Sequence, residues 1–235
     1  MLHSTSQWAI HSNSQFKMKS LVIFDLDGTL LNSIEDLGEA ANYALKQCGY
    51  PIHSISSYPL YVGNGVTKLL ERVLPKEARS PENIEKLRTH FIEYYNSHDT
   101  VHTTPYQGIP ELLKVLTQRG IKLAVASNKY HEAVVRLINH YFPNENWVAI
   151  EGHKEDYPVK PDPSIVFDIL LKSPTPKDEV LYVGDSGVDI ETARRACVDS
   201  VGVTWGFRPV SELRAHYADH IIDHPGDILE VLSKV

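Results

Sequence analysis

Two aspartates separated by a single residue follow an apolar run near the start of the chain. Asp25 and Asp27 lie in the stretch LVIFDLDGTL, directly before Gly28. Carboxylates this close repel each other unless a cation lies between them or they share a proton. Ligands that are all oxygen atoms suit Mg²⁺. The pair therefore predicts a site that holds a metal ion, moves protons, or does both.

Two other apolar runs also end in polar residues that could do chemistry. Ser127 and Asn128 end the run IKLAVASN, Asp185 follows the apolar part of EVLYVGDS, and Asp189 comes four residues later. Near-continuous apolar runs of this length are typical of strands buried on both faces of a parallel sheet. The sequence therefore predicts three buried strands, each with a polar residue at its end.

The runs alternate with segments of helical spacing, which indicates how the strands are connected. Shorter strands are predicted over 147–152, 200–206 and 220–223, and helices over 109–120, 131–142, 163–173 and 188–196. This alternation predicts an α/β fold, a Rossmann-like doubly wound parallel sheet. Ligands of such sheets bind beyond the carboxyl ends of the strands. We therefore expect Asp25, Ser127 and Asp185 to meet in one crevice.

The stretch between the first strand and the next strand–helix unit has a different character. Residues 33–102 contain helical patterns and no convincing strand. We predict that they form an inserted helical domain, called the helical cap below, and that residues 18–32 and 103–235 form the catalytic core. Ser33 and Asp36 have the spacing of a capping box, which predicts that they cap the first helix of the insert.

Composition limits the classes of function. The chain has 235 residues, is 42% hydrophobic and carries a net charge of −7. This acidic balance does not favour nucleic acid or an anionic membrane as a partner. Two distant cysteines and the lack of a long apolar run favour a cytoplasmic protein without a membrane span. Residues 1–17 are polar and are predicted to be a disordered N-terminal extension.

Four short motifs together resemble one known superfamily. DLDGT at 25–29, SN at 127–128, KP at 160–161 and GDSGVD at 184–189 are similar, in order, to the motifs of the haloacid dehalogenase superfamily. The resemblance covers the chain from about residue 18, and the helical cap resembles the insert that one class of the superfamily carries after its first motif. The stretches VGNGVTKLLERVL, TPYQGIPELLKVL and ASNK look most like phosphoglycolate phosphatases.

The resemblance implies catalytic roles for four residues. Asp25 would be the nucleophile that takes the phosphoryl group as an aspartyl-phosphate. Asp27 would be the general acid that protonates the leaving group and then the base that activates water. Ser127 and Lys160 would bind the oxygens of the transferring phosphoryl group and stabilise its charge.

The resemblance also implies a Mg²⁺ cofactor. The ion would be held by the carboxylates of Asp25 and Asp185 and by the backbone carbonyl of Asp27. Asp189 would support this shell through a water molecule or by orienting Lys160. Such a metal would remove the repulsion between neighbouring carboxylates and leave Asp25 able to attack an anion.

A wider set of residues is predicted to bind substrate. The set comprises Ser127, Asn128, Lys160, Gly28, Thr29, Gly63 and Asn64. Alternatives remain open for several positions. Gly63 and Asn64 would form a substrate loop or only a turn into a helix, and Ser127–Asn128 would also cap the helix that follows. Lys129 would contact substrate or be a solvated residue of that helix's first turn, and the second interpretation is favoured.

These expectations converge on an enzyme with a small phosphorylated metabolite as its partner. The sequence predicts a Mg²⁺-dependent phosphatase, a monomer or homodimer, with 2-phosphoglycolate as the leading substrate. The alternatives are a phosphomutase of the β-phosphoglucomutase type, or a pyrophosphatase or nucleotidase of the same superfamily. A dehalogenase, or a non-catalytic interaction protein on the same fold, is a further alternative that the intact acidic motifs disfavour.

Overall fold

The computed structural model describes residues 18–234, so the prediction for residues 1–17 lies outside the described part of the chain. The strands are β1 (Leu21–Phe24), β2 (Leu31–Asn32), β3 (Thr104–Pro105), β4 (Lys122–Tyr130), β5 (Trp147–His153), β6 (Val180–Gly184), β7 (Asp199–Val203) and β8 (His220–Ile222). The α-helices are α1 (Ile34–Gln47), α2 (Val66–Val73), α3 (Pro81–His98), α4 (Ile109–Gln118), α5 (His131–Tyr141), α6 (Ser164–Lys172), α7 (Gly187–Ala196), α8 (Val210–Ala215) and α9 (Ile228–Lys234).

Six of the strands form one sheet in the order β5-β4-β1-β6-β7-β8. Every neighbouring pair in it is parallel. The order reverses direction at β1, which lies between β4 and β6, and this is the pattern of a doubly wound sheet. The predicted Rossmann-like α/β fold is therefore confirmed.

Both faces of the sheet are buried, as the continuous apolar runs predict. In β1, Val22 and Phe24 belong to a cluster with residues of α4, α5 and α9, whereas Leu21 and Ile23 belong to a cluster with residues of α6 and α7. Successive side chains of a strand point to opposite faces. Helices on both faces therefore hold β1 in the centre of the sheet, and its carboxyl end is fixed by packing from both sides.

The strand β4 is longer than predicted, and this changes the environment of the second motif. It continues through Ser127 and Asn128 to Tyr130. The residue that precedes α5 is therefore Tyr130, which makes no side-chain capping bond. The prediction that Ser127–Asn128 caps the following helix is wrong, because both residues are still in extended backbone.

The helical cap has a core of its own. Apolar residues of α1, α2 and α3 pack with Tyr58 in a cluster separate from the two clusters at the sheet. At the ends of this segment, β2 and β3 pair in an antiparallel ribbon, with Leu31 opposite Pro105 and Asn32 opposite Thr104. The ribbon therefore holds the two segments that connect the helical cap to the sheet next to each other. The domain boundaries at residues 33 and 102 stay a prediction.

The capping box predicted at the start of α1 is wrong. Ser33 precedes α1 but makes no capping bond, and its Oγ donates to Asp27 Oδ1 at 2.5 Å. The Asp36 carboxylate accepts bonds from the backbone N–H groups of His102 and Thr103 and from Thr103 Oγ1, at 2.6–3.1 Å. Asp36 therefore ties the start of the cap to its end, a long-range contact that local spacing does not reveal.

Within the described residues, no helix is both long enough and apolar enough to cross a membrane. Cys48 and Cys197 are free thiols.

Candidate active site

The Asp25 side chain lies at the carboxyl end of β1 and is almost completely buried. Its backbone N–H continues the strand ladder by donating to the Val183 carbonyl at 2.9 Å. Its Oδ1 accepts a bond from Lys160 Nζ at 2.8 Å. The same ammonium also donates to the Ala126 carbonyl at 2.9 Å and to Asp189 Oδ1 at 2.7 Å. The three donors of Lys160 are therefore all used by protein acceptors.

Asp185 follows β6 and lies beside the first motif. Its Oδ2 accepts a bond from the Phe207 backbone N–H at 2.6 Å. A Cβ atom at Gly28, where φ is +90°, would lie 2.4 Å from the same oxygen, and a Cβ at Gly206 would lie 2.3 Å from the Asp185 Cβ. Glycine at both positions therefore lets two backbone segments approach the Asp185 carboxylate closely.

Three buried carboxylates at this edge of the sheet could hold a metal ion. Asp25, Asp185 and Asp189 each offer one oxygen, and these oxygens all lie within 4.8 Å of one another. Asp189, however, has other partners: Oδ1 accepts from Lys160, and Oδ2 accepts from the Ser186 backbone N–H and from Ser186 Oγ. This Ser186–Asp189 pair forms the capping box of α7. The geometry therefore favours Asp189 as the residue that orients Lys160.

The charges in the cluster do not balance. Burial raises the pKa of Asp25 to about 7. The attraction of Lys160 opposes this rise, and the negative charges of Asp189 and Asp27 add to it. Burial and the nearby charges of Asp189 and Asp25 also raise the pKa of Asp185 well above its usual value. Although burial opposes its charged form, Asp189 and Asp25 hold the pKa of Lys160 well above the ordinary value. The charge of one ammonium does not neutralise three carboxylates. A divalent cation fits a site with such an excess of negative charge.

Asp27 is held by the side chains of Lys129 and Ser33. Lys129 Nζ donates to both of its carboxylate oxygens at 2.9 Å, and Ser33 adds the bond described above. Lys129 is buried, and its ammonium also lies 4.7 Å from the centre of the Tyr95 ring. The favoured interpretation of Lys129 as a solvated residue of a helix is therefore wrong, because β4 extends past it and directs it into the site.

The second motif joins three parts of the protein. Ser127 is buried, and its Oγ accepts a bond from the Lys129 backbone N–H at 3.2 Å. The Asn128 side chain donates to the carbonyls of Gly63 and Lys160, at 3.1 and 3.2 Å, and accepts from the Lys160 backbone N–H at 2.8 Å. Asn128 thus fixes the loop that carries Lys160 and links it to the helical cap.

A cavity of about 60 Å³ lies between the acidic cluster and the helical cap. Of the residues predicted to act in catalysis or metal or substrate binding, the following line it: Asp25, Asp27, Gly63, Ser127, Asn128, Lys160 and Asp185. Gly28, Thr29, Asn64 and Asp189 are not among its lining residues. Thr29 is fully buried, and the Asn64 side chain instead accepts a bond from Arg72 at 2.7 Å.

Sequence reasoning missed the residues that complete the cavity wall. Phe207 and Arg208 line it from the loop after β7, and the cap contributes Leu37, Val62, Val66, Leu69 and Phe91. A usable signal existed for the loop, since it follows a strand predicted to end at the same edge of the sheet as Asp25. No comparable signal existed for the apolar cap residues, which have the spacing of ordinary core positions.

Comparison with known proteins decides the family. The model of the haloacid dehalogenase-like hydrolases matches residues 22–203, which include every motif described above. The chain belongs to this family. A phosphoglycolate phosphatase of Aquifex aeolicus (strain VF5) is 32% identical over 213 residues, which cover 91% of this chain and 96% of that protein. A phosphoglycolate phosphatase of Vibrio cholerae is 33% identical over 222 residues, covering 92% and 98%.

Solved structures agree with this assignment. The crystal structure of a predicted phosphoglycolate phosphatase from Haemophilus somnus 129PT matches with a TM-score of 0.84 and 29% identity, covering 91% of this chain and 97% of that one. This haloacid dehalogenase-like hydrolase is therefore an enzyme, a phosphoric monoester hydrolase similar to phosphoglycolate phosphatases. Phosphatases of the family generally use a divalent metal and act on small phosphorylated substrates, and the acidic cluster fits such a metal.

Proposed function

We propose that this protein is a Mg²⁺-dependent phosphatase of 2-phosphoglycolate that works through an aspartyl-phosphate on Asp25. The observation that carries the proposal is the cluster of buried carboxylates around one lysine, which lies at the core side of a cavity that the helical cap lines on the opposite side. This cluster supports phosphoryl chemistry because a divalent cation held by its carboxylates would offset the repulsion between Asp25 and a phosphate dianion.

The first step is attack on phosphorus by a carboxylate oxygen of Asp25, which breaks the bond between phosphorus and the leaving-group oxygen. Lys160 holds Oδ1 of this carboxylate, so the side chain has a fixed orientation before substrate binds. The buried Ser127 hydroxyl lines the same wall. A fixed hydroxyl donor such as that of Ser127 stabilises charge on a transferring oxygen without reorganisation during the reaction.

Asp27 then moves the protons. It gives one to the leaving alkoxide, which becomes the hydroxyl group of glycolate. Afterwards it takes one from the water that attacks the phosphoryl-aspartate, and inorganic phosphate is released. Lys129 and Ser33 fix the Asp27 carboxylate on the cavity wall. Acid–base help of this kind typically contributes about 10²- to 10⁴-fold in rate.

Asp25 and Asp185 are the side chains that we propose as ligands of Mg²⁺, together with the backbone carbonyl of Asp27. Their donor atoms are all oxygen, which Mg²⁺ prefers. When bound, the ion neutralises the carboxylates and polarises the phosphoryl group. Asp189 supports the site through Lys160.

The shape of the cavity and the relatives support a small substrate. The cap side of the cavity is lined mainly by apolar side chains and offers few polar groups for the hydroxyls of a sugar or a nucleoside. Phosphoglycolate phosphatases cover most of this chain at 31–33% identity. These two observations favour 2-phosphoglycolate over the sugar phosphates, nucleotides and pyrophosphate of the alternative functions.

The test is release of inorganic phosphate from 2-phosphoglycolate with Mg²⁺, compared with sugar phosphates, nucleotides, pyrophosphate and p-nitrophenyl phosphate. We expect kcat/KM for 2-phosphoglycolate to exceed the others by about 100-fold, which is about 2.7 kcal/mol of transition-state discrimination. EDTA and Asp25→Asn should each abolish turnover. Weak and equal hydrolysis of all esters would refute the substrate, and transfer of phosphate to a sugar with little free phosphate would indicate a mutase.

A further inference from the structure

The loop that follows β7 is held firmly against the acidic site. Trp205 Nε1 donates to the Thr29 carbonyl at 3.0 Å, and the Phe207 backbone N–H donates to Asp185 at 2.6 Å. Both anchors lie within three residues of Arg208. The loop therefore places the Arg208 side chain at a defined position relative to the site of phosphoryl transfer.

From this position Arg208 reaches across the cavity to the helical cap. Its Nη2 donates to the Val62 carbonyl at 2.8 Å, and a Cβ atom at Gly63 would lie 3.4 Å from the same nitrogen. The side chain lines the cavity and is 18% exposed. Arg208 is thus a charged group on the wall formed by the loop after β7, where the cap meets the core.

Among the described residues that line the cavity, three cations can be compared. Lys160 uses its three donors on protein acceptors, as shown above. Lys129 is paired with both oxygens of Asp27 at 2.9 Å. The ion pair of Arg208 is long, with 4.0 Å between its Nε and Glu212 Oε2. Arg208 is therefore the lining cation whose charge is least neutralised by the protein.

A second guanidinium adds to the positive charge beside this position. Arg72 donates to the Tyr61 carbonyl at 2.8 Å and to Asn64 Oδ1 at 2.7 Å, on the two sides of Val62. Burial and the charge of Arg208 lower the pKa of Arg72. Like charges this close repel each other, and an anion bound at Arg208 would reduce that repulsion.

We propose that Arg208 binds the carboxylate of the substrate and thereby selects phosphate esters that carry a second anionic group on the leaving group. This inference rests on the proposed function and names the residue that provides its specificity. A guanidinium suits the task because its planar set of N–H donors matches a carboxylate. The apolar cap residues opposite exclude water and strengthen the interaction.

The competing explanation is that Arg208 only fastens the cap to the core through Val62. The two explanations predict different effects of a variant on kcat/KM for two substrates of similar size. 2-Phosphoglycolate carries a carboxylate, whereas ethyl phosphate has a methyl group in its place. Loss of a carboxylate contact affects only the first substrate, but loss of a cap contact affects both.

The experiment measures kcat/KM for both esters with the wild type, Arg208→Gln and Arg208→Lys. Glutamine keeps a donor for the Val62 carbonyl but has no charge, and lysine keeps the charge. We expect Arg208→Gln to lower the ratio of the two kcat/KM values by about 10- to 100-fold, the usual range for losing a charge-assisted hydrogen bond. Arg208→Lys should retain part of the ratio. Thermal unfolding confirms that each variant is folded.

Arg136→Gln is the matched control. Arg136 joins α5 to the end of α3 through Asp99, with 2.8 Å between Arg136 Nε and Asp99 Oδ2, and it does not line the cavity. Weakening this link between core and cap should leave the ratio unchanged. If Arg208→Gln also leaves the ratio unchanged, the inference is refuted although the proposed substrate stands. A wild type that does not prefer 2-phosphoglycolate to ethyl phosphate refutes both.

Discussion

Replacing the proposed nucleophile should abolish activity and at the same time stabilise the metal-free protein. Asp25 is buried among carboxylates, and its pKa is raised from the usual 3.8 to about 7. Between these values the unfolded chain releases the proton of Asp25 while the folded protein retains it. The contribution of Asp25 to the stability of the wild type therefore falls as pH rises from about 4 to 7, because this group binds a proton in the folded state and not in the unfolded state. Asp25→Asn has no charge to bury and avoids this loss.

The magnitude follows from the size of the shift. Each pH unit within the interval corresponds to about 1.4 kcal/mol. At pH 5 slightly more than one unit of the interval is covered, so Asp25→Asn should be more stable than the wild type by about 1–2 kcal/mol. At pH 8 the pH has passed the whole interval of about three units. The free energy of unfolding of Asp25→Asn should then exceed that of the wild type by about 4 kcal/mol.

The assay is urea unfolding of both proteins in EDTA at pH 5 and pH 8, followed by circular dichroism. Asp156→Asn is a matched control, because Asp156 is exposed and its replacement should change little at either pH. Replacing EDTA with Mg²⁺ should stabilise the wild type and not Asp25→Asn, since the ligand is lost. An Asp25→Asn protein that is less stable than the wild type at pH 8, or whose gain is the same at both pH values, would refute the reasoning.

Three further predictions follow from the same geometry. Lys129→Met should lower kcat for 2-phosphoglycolate by about 10- to 100-fold in steady-state assays, because Asp27 loses the cation that orients it; an unchanged kcat would contradict this role. Asp185→Asn should need at least about tenfold more Mg²⁺ for half-maximal activity, measured by titration after EDTA treatment; an unchanged requirement would exclude it as a ligand. Gly206→Ala should lower the melting temperature by several degrees, roughly 1–3 kcal/mol, because its Cβ would overlap Asp185; Gly226→Ala, with open space around it, should not.

Contacts within the cap show where local sequence reasoning fails. The spacing of Ser33 and Asp36 is that of a capping box, yet Ser33 donates to Asp27 and Asp36 binds the backbone of residues 102 and 103. A side chain makes whichever hydrogen bond the folded chain offers, and a partner 67 residues away cannot be read from a local pattern. The same applies to Lys129, whose environment depends on where β4 ends.

The sequence by itself determined the alternation of strands and helices, because strands buried on both faces must be apolar along their whole length. It also determined that Asp25, Ser127 and Asp185 would meet, since the carboxyl ends of parallel strands share one edge of the sheet, whereas Lys160 was assigned to the site only by the resemblance of its motif to the family's. Only the tertiary structure decided which of the charged side chains form ion pairs with each other. Lys160 pairs with Asp25 and Asp189, and Lys129 pairs with Asp27. Arg208 lines the cavity without a close ion pair. These pairings depend on distances across elements that are far apart in the chain, and therefore on packing.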